Sequence, residues 1–147
     1  MAEPTVAPVL CPRCGTQHLI ETWDVIDVEH YPHMRDVVFS GRIHLLTCSL
    51  CHTRTRIEIP FIYYDAVALF TAYYLPPDAL SDPSALLAFD PHGRLQSPVT
   101  VRRSAIGGRQ AVAPHVVFSI TELVRYAEFR EALARHRVSS RFLADAD

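Results

Sequence analysis

The sequence predicts an α+β, β-dominated domain, and three features of its 147 residues carry that expectation. Two CxxC pairs, Cys11 with Cys14 and Cys48 with Cys51, are separated by 33 residues and include every cysteine in the chain. Around them lie segments rich in β-branched and aromatic residues, a composition that suits a pleated, half-buried surface. Near the C-terminus, Ser119 and Glu122 form an S-x-x-E capping signature that opens a helical pattern. The length suits one compact domain rather than two, so residues 10–147 are expected to form a single unit. Residues 1–9, with Pro4, Pro8 and few large side chains, are expected to be a flexible lead-in.

The elements follow in order. Residues 19–28 contain Ile20, Thr22, Trp23, Val25, Ile26 and Val28 and read as strand. Residues 31–41 read as a short helix: Pro32 suits its first turn, Met34, Val37 and Val38 fall at helical spacing, and Gly41 suits its stop. Residues 42–47 and 53–62 read as a strand pair straddling the second cysteine pair. In the second of these, Thr55, Ile57, Ile59 and Phe61 point one way and Arg54, Arg56 and Glu58 the other, the period of a half-buried strand. Residues 67–75 are almost entirely apolar; Phe70, Tyr73, Tyr74 and the Pro76 stop favour strand over buried helix.

Asp82 suits an N-cap with Pro83 at the first helical position, so residues 82–89 predict one or two helical turns. Residues 91–114, rich in glycine and proline, predict loops around one short strand near 99–102. Residues 115–118 predict a strand. The helix after Ser119 should run to about Arg135, within a C-terminal unit spanning 115–136. Leu123, Tyr126, Ala127, Leu133 and Ala134 would be its apolar side, Phe118 would staple to Leu123, and Glu131 would pair with Arg135 on the exposed side.

All 14 basic residues are arginine, and lysine and asparagine are both absent. A GC-rich genome accounts for that bias, so it assigns no function. The formal charge of −2 counts against a protein that coats nucleic acid through electrostatics. No apolar run approaches the roughly 20 residues of a membrane-spanning helix, and the first ten residues lack the basic start and apolar core of a signal peptide. A cytoplasmic location is therefore expected, with no membrane association and with reduced thiols.

The cysteines carry the chemistry. A CxxC turn places two thiolates on one side of the chain, so Cys11, Cys14, Cys48 and Cys51 supply the two halves of a tetrahedral S4 site. Zn²⁺ suits such a site because it tolerates any ligand field and binds soft sulfur, and a four-cysteine site is structural. This predicts a zinc-ribbon-like unit over residues 10–62 with an antiparallel sheet, enclosing the ion. Geometry alone also admits iron, as in a rubredoxin-like electron-transfer centre. A thioredoxin-like dithiol is a further alternative, although neither pair opens a helix after a strand. Four unligated buried thiols is the plainest one. Gly15 stands where the first turn exits with positive φ; His52 takes that place in the second, making it the weaker half.

The two cysteine pairs, the strand from Trp23 to Val28, the helix start Tyr31-Pro32-His33-Met34, Gly41, and Pro60-Phe61-Ile62-Tyr63-Tyr64-Asp65 together resemble the bacterial CpXC family. The resemblance spans about residues 11–75, with weaker similarity over 117–133. It implies metal binding and a β-rich domain, and it supplies no reaction, because the family has no established biochemical activity.

Other residues have plain explanations. Glu29, His30 and His33 cluster before the first helix, where a solvated helix start is favoured over a second metal site. His52 reads as a surface turn residue rather than a donor to a thiolate. Asp65 reads as a strand-end turn former rather than a catalytic acid. Arg102, Arg103 and Arg109 flank a Gly-Gly turn and read as solvated loop residues. No nucleophile elbow, P-loop, dinucleotide fingerprint or H-E-x-x-H motif occurs. The expectation is a non-enzymatic interaction or scaffolding module with a protein partner. Nucleic-acid binding through Arg54 and Arg56 is the alternative, disfavoured by the net charge.

Overall fold

The computed structural model describes residues 3–95 and 114–145, with side chains through 137. Its elements are β1 (Thr5–Leu10), β2 (Gln17–Thr22), β3 (Val25–Asp27), α1 (His33–Phe39), β4 (Leu45–Thr47), β5 (Arg54–Arg56), β6 (Phe61–Asp65) and β7 (Phe70–Tyr74). A 3-10 turn (Pro77–Ser81), α2 (Pro83–Leu86), β8 (His115–Val117) and α3 (Ile120–Asp145) follow. The fold is mixed α+β and strand-rich with a C-terminal helix, as predicted.

Three sheets are present among the described residues. β1 pairs with β2 and β4 with β5, both antiparallel, while a four-stranded sheet has the order β3-β6-β7-β8. Its centre is the antiparallel β6–β7 hairpin, and both outer strands run parallel to their neighbours. Parallel pairing requires a crossover. Between β3 and β6 that crossover contains α1 and the β4–β5 hairpin, so the second cysteine pair is carried out of the main sheet.

The hairpin explains the unbroken apolar run. Phe61, Tyr63, Phe70, Ala72 and Tyr74 join Trp23, Ile26, Met34, Val38, Leu123 and Ala127 in the principal core. Their neighbours Ile62, Tyr73 and Leu75 join Val25 and Leu95 in a second core. Both faces are covered, so the alternation of a half-wet strand disappears. Each fully buried large side chain contributes on the order of 1.5–3 kcal/mol, and Phe61, Tyr63, Ile26 and Leu123 are all within 1 % of complete burial.

Several expectations are corrected. Strand β1 takes in residues 5–9 of the expected lead-in together with Leu10, and its Val6 and Leu10 remain exposed and so leave little hydrophobic signal. The single strand expected over 19–28 is two, β2 and β3, in different sheets. The strand expected over 53–62 ends at Arg56, and Phe61 begins a strand of the main sheet. The strand expected over 67–75 begins at Phe70, because residues 66–69 form the β6–β7 turn.

The capping box forms, with Glu122 N donating to Ser119 Oγ at 3.0 Å and Phe118 N donating to Glu122 Oε2 at 3.1 Å. Phe118, expected as a staple, is 39 % exposed. The helix it opens continues past Arg135 to Asp145. Glu131, expected to pair with Arg135, feels the charge of Arg135 and also accepts two hydrogen bonds from Arg35 of α1, at 2.8 and 2.9 Å. Asp82 caps α2 as predicted, accepting from Ser84 N. The strand expected near 99–102 and Arg102, Arg103 and Arg109 lie outside the described residues. Among the described residues no helix is long and apolar enough to cross a membrane.

Candidate metal centre

Each cysteine pair sits in the turn of one small hairpin. In the first, Gly15 N donates to Cys11 O at 2.8 Å and Cys11 N donates to Thr16 O at 2.8 Å. In the second, His52 N donates to Cys48 O at 3.0 Å and Cys48 N donates to Thr53 O at 2.9 Å. The two knuckles are local copies, with Gly15 at φ +76° matched by His52 at φ +61°. Both exits take the predicted left-handed conformation.

The copies face one another and bring all four sulfurs within 4.8 Å. The short separations run between knuckles, 3.6 Å for Cys11–Cys51 and 3.6 Å for Cys14–Cys48. Four thiolates around Zn²⁺, each at 2.3 Å, lie about 3.8 Å apart, so the cluster fits a tetrahedral ion. A disulfide requires about 2.05 Å, and all four cysteines are free. Among the described residues this is the sole grouping of three or more His, Cys, Asp or Glu side chains suited to a metal.

The inner side of the cluster is dry. Cys11 and Cys48 are 2 % and 0 % exposed and pack with Leu46, Val9, Ile20 and Ile57 of the two hairpins. Cys14 is exposed and Cys51 half-buried, so the enclosure expected for the site is open on one edge.

Polar donors around the sulfurs complete the site, and the sequence reading missed them. Thr16 Oγ1 lies 3.1 Å from Cys14 Sγ, and Thr53 Oγ1 lies 3.2 Å from Cys51 Sγ. These threonines occupy equivalent positions, two residues beyond the second cysteine of each pair, so the shared pattern C-x-x-C-x-T was the available signal. Their hydroxyls lower the pKa of both thiols, that of Cys51 to about 6, which favours the thiolates a metal requires. Cys48 Sγ meets His18 Nε2 at 3.3 Å and accepts from Cys51 N at 3.5 Å. His18 reaches the site because it shares the inward face of β2 with Ile20.

The remaining candidates are dispersed. His30 Nδ1 lies 2.8 Å from the buried Asp27 carboxylate, and His33 sits edge-on to Tyr31, so Glu29, His30 and His33 form no metal cluster. Asp65 is a turn former, as expected: its Oδ1 accepts from Val67 N and Ala68 N, both at 2.9 Å. Arg54 is exposed, but Arg56 is half-buried and donates to Gly41 O at 3.1 Å, so the two do not present one free face. His44, singled out by no motif, is 5 % exposed at φ +53°, and its Nε2 accepts from Trp23 N.

The family described as CpXC protein matches residues 9–136, covering both knuckles, the main sheet and most of α3. No curated protein and no solved structure matches the chain.

Proposed function

We propose that the chain, which belongs to the CpXC family, is a non-enzymatic protein-interaction module in which Cys11, Cys14, Cys48 and Cys51 hold one structural Zn²⁺. The observation that carries this reading is the approach of four sulfurs within 4.8 Å, drawn two by two from separate hairpins. The first hairpin buries little on its own, since β1 and β2 leave Val6, Leu10 and Leu19 exposed. A shared ion supplies the link that the two hairpins' small apolar contact does not, and four thiolates leave a tetrahedral ion no open position for substrate. Zinc is favoured over iron because the role is mechanical and requires no redox change.

The test is metal analysis of untagged full-length protein purified without added metal. About one zinc per chain in a colourless protein is the expected result, and Cys14→Ser and Cys48→Ser each lose the metal and melt at lower temperature. A red protein containing iron that bleaches reversibly on reduction would replace this reading with electron transfer. Unchanged metal content and melting in both variants would remove the site.

A further inference from the structure

The β6–β7 turn carries two locally unfavourable features. Leu69 has φ +57°, a left-handed conformation that a Cβ disfavours and that glycine or asparagine adopts readily. It is also 60 % exposed, next to Val67 at 81 %. A strained backbone holding an aliphatic side chain out in water is a feature found where a surface is used.

These side chains line a cleft of about 370 Å³ together with Arg130, Leu133, Ala134 and Arg137 of α3. Among the described residues no acidic side chain lines it. Arg130 has neutral partners only among the described residues: it donates to Leu69 O at 2.7 Å and to Tyr126 Oη at 3.4 Å, and lies over the Phe70 ring. The nearest carboxylate of the turn, Asp65, is buried and committed to two main-chain amides. A second cleft of about 270 Å³ shares Leu69 and Arg130 and continues to Thr71, His115 and Tyr126. Thr71 is 5 % exposed, and its hydroxyl has no partner among the described residues. The two clefts give a groove with an aliphatic half, a polar half and a guanidinium between them.

We infer that this groove docks an extended segment of a partner protein in which an acidic residue adjoins aliphatic side chains, the carboxylate meeting Arg130 and Arg137 and the aliphatic groups covering Val67 and Leu69. Charge complementarity selects the occupant, because Arg130, which has only neutral partners among the described residues, and Arg137 line one groove in a chain whose own net charge is negative. Two clefts that share Leu69 and Arg130 favour a chain segment over a compact small molecule. The inference rests on the reading of the protein as an interaction module, but its surface lies on the main sheet and α3, not on the hairpins that carry the cysteines.

The experiment selects a phage-displayed random peptide library on the full-length protein and measures the selected peptides against Leu69→Asn, Val67→Asp and Arg137→Glu. Enriched peptides should place Asp or Glu beside Leu, Ile or Val, and each variant should weaken them at least about tenfold. Leu69→Asn relieves the left-handed strain, so it should lose binding while melting no lower than wild type, which separates docking from folding. No enrichment, a basic motif, or peptides indifferent to the three variants would overturn the inference. So would a concentration-dependent dimer abolished by Leu69→Asn, which would make a second copy the occupant. Metal content is measured on the same samples: a metal-loaded wild-type protein that enriches no peptide sinks this inference alone, and absent metal with peptide binding intact sinks the metal reading alone.

Discussion

The ring of His44 accepts the main-chain N–H of Trp23 at 2.9 Å, fastening the start of the second cysteine hairpin to the junction between β2 and β3. Since Trp23 N is the donor, Nε2 must be unprotonated, and a proton there would set two donors against each other. Burial lowers the pKa of His44 to about 4, from the ordinary histidine value near 6.5. The folded state therefore binds fewer protons than the unfolded one between those values. Stability from this residue is complete above about pH 6.5, falls as pH drops toward 4, and amounts to about 3 kcal/mol across that window. Denaturant melts of metal-loaded protein from pH 7.5 to 4 should show that slope, and His44→Gln, which keeps an acceptor without a titrating ring, should lack it. Parallel slopes in the two proteins would refute the assignment.

The paired threonine hydroxyls predict a metal-affinity effect. Thr16→Val and Thr53→Val preserve shape but remove the hydroxyls that can turn to donate to the thiolates of Cys14 and Cys51, leaving thiolates that form less readily. Groups that support ligands typically change metal affinity by about 10–100-fold. Competition with a chelator at neutral pH should place each variant about tenfold weaker than wild type and the double variant weaker still. If the hydroxyls merely pack, affinities will coincide with wild type.

Much of the centre was legible because its signal is local. A CxxC spacing fixes where two sulfurs point, and the turn at Gly15 and His52 followed from the same short window. Asp82 and Ser119 were legible as caps for the same reason, each bonding within four residues. The misses have long reach or little burial. Strand β1 pairs across a hairpin but keeps Val6 and Leu10 in water, so no hydrophobic pattern announces it. The division between β2 and β3 falls inside a uniformly strand-favouring stretch, where composition cannot tell one sheet from two. His44 acquires its role from Trp23, 21 positions away, and Glu131 from Arg35, 96 away.

The knuckle exits predict opposite effects of two substitutions. An added Cβ at Gly15 meets nothing within 4 Å, so Gly15→Ala isolates the cost of φ +76° and should destabilise by about 1 kcal/mol. His52 already bears that cost at φ +61°. His52→Gly removes it and recovers about 0.5–1 kcal/mol after the added flexibility of the unfolded chain is counted. Thermal melts of the metal-loaded variants read both signs. A destabilised His52→Gly would show that the imidazole makes a contribution larger than its backbone strain.

The Arg35–Glu131 pair predicts how the two helices are held over the sheet. The guanidinium presents Nε and Nη2 to the two carboxylate oxygens at 2.8 and 2.9 Å, a bidentate geometry stronger than a single contact. Glu131 is 15 % exposed at its side chain and Arg35 is 41 % exposed, so solvent screens part of the attraction and a coupling of about 1 kcal/mol is expected. The Arg35 bonds also hold the Glu131 carboxyl below the usual range. This stabilisation is therefore present above the ordinary glutamate pKa and is lost as pH falls through the lowered folded value. A double-mutant cycle with Arg35→Gln and Glu131→Gln should return that coupling at pH 7 and lose it in acid. An arginine resting only on the Phe39 ring, 4.0 Å beneath its guanidinium carbon, would give no coupling to Glu131 at either pH.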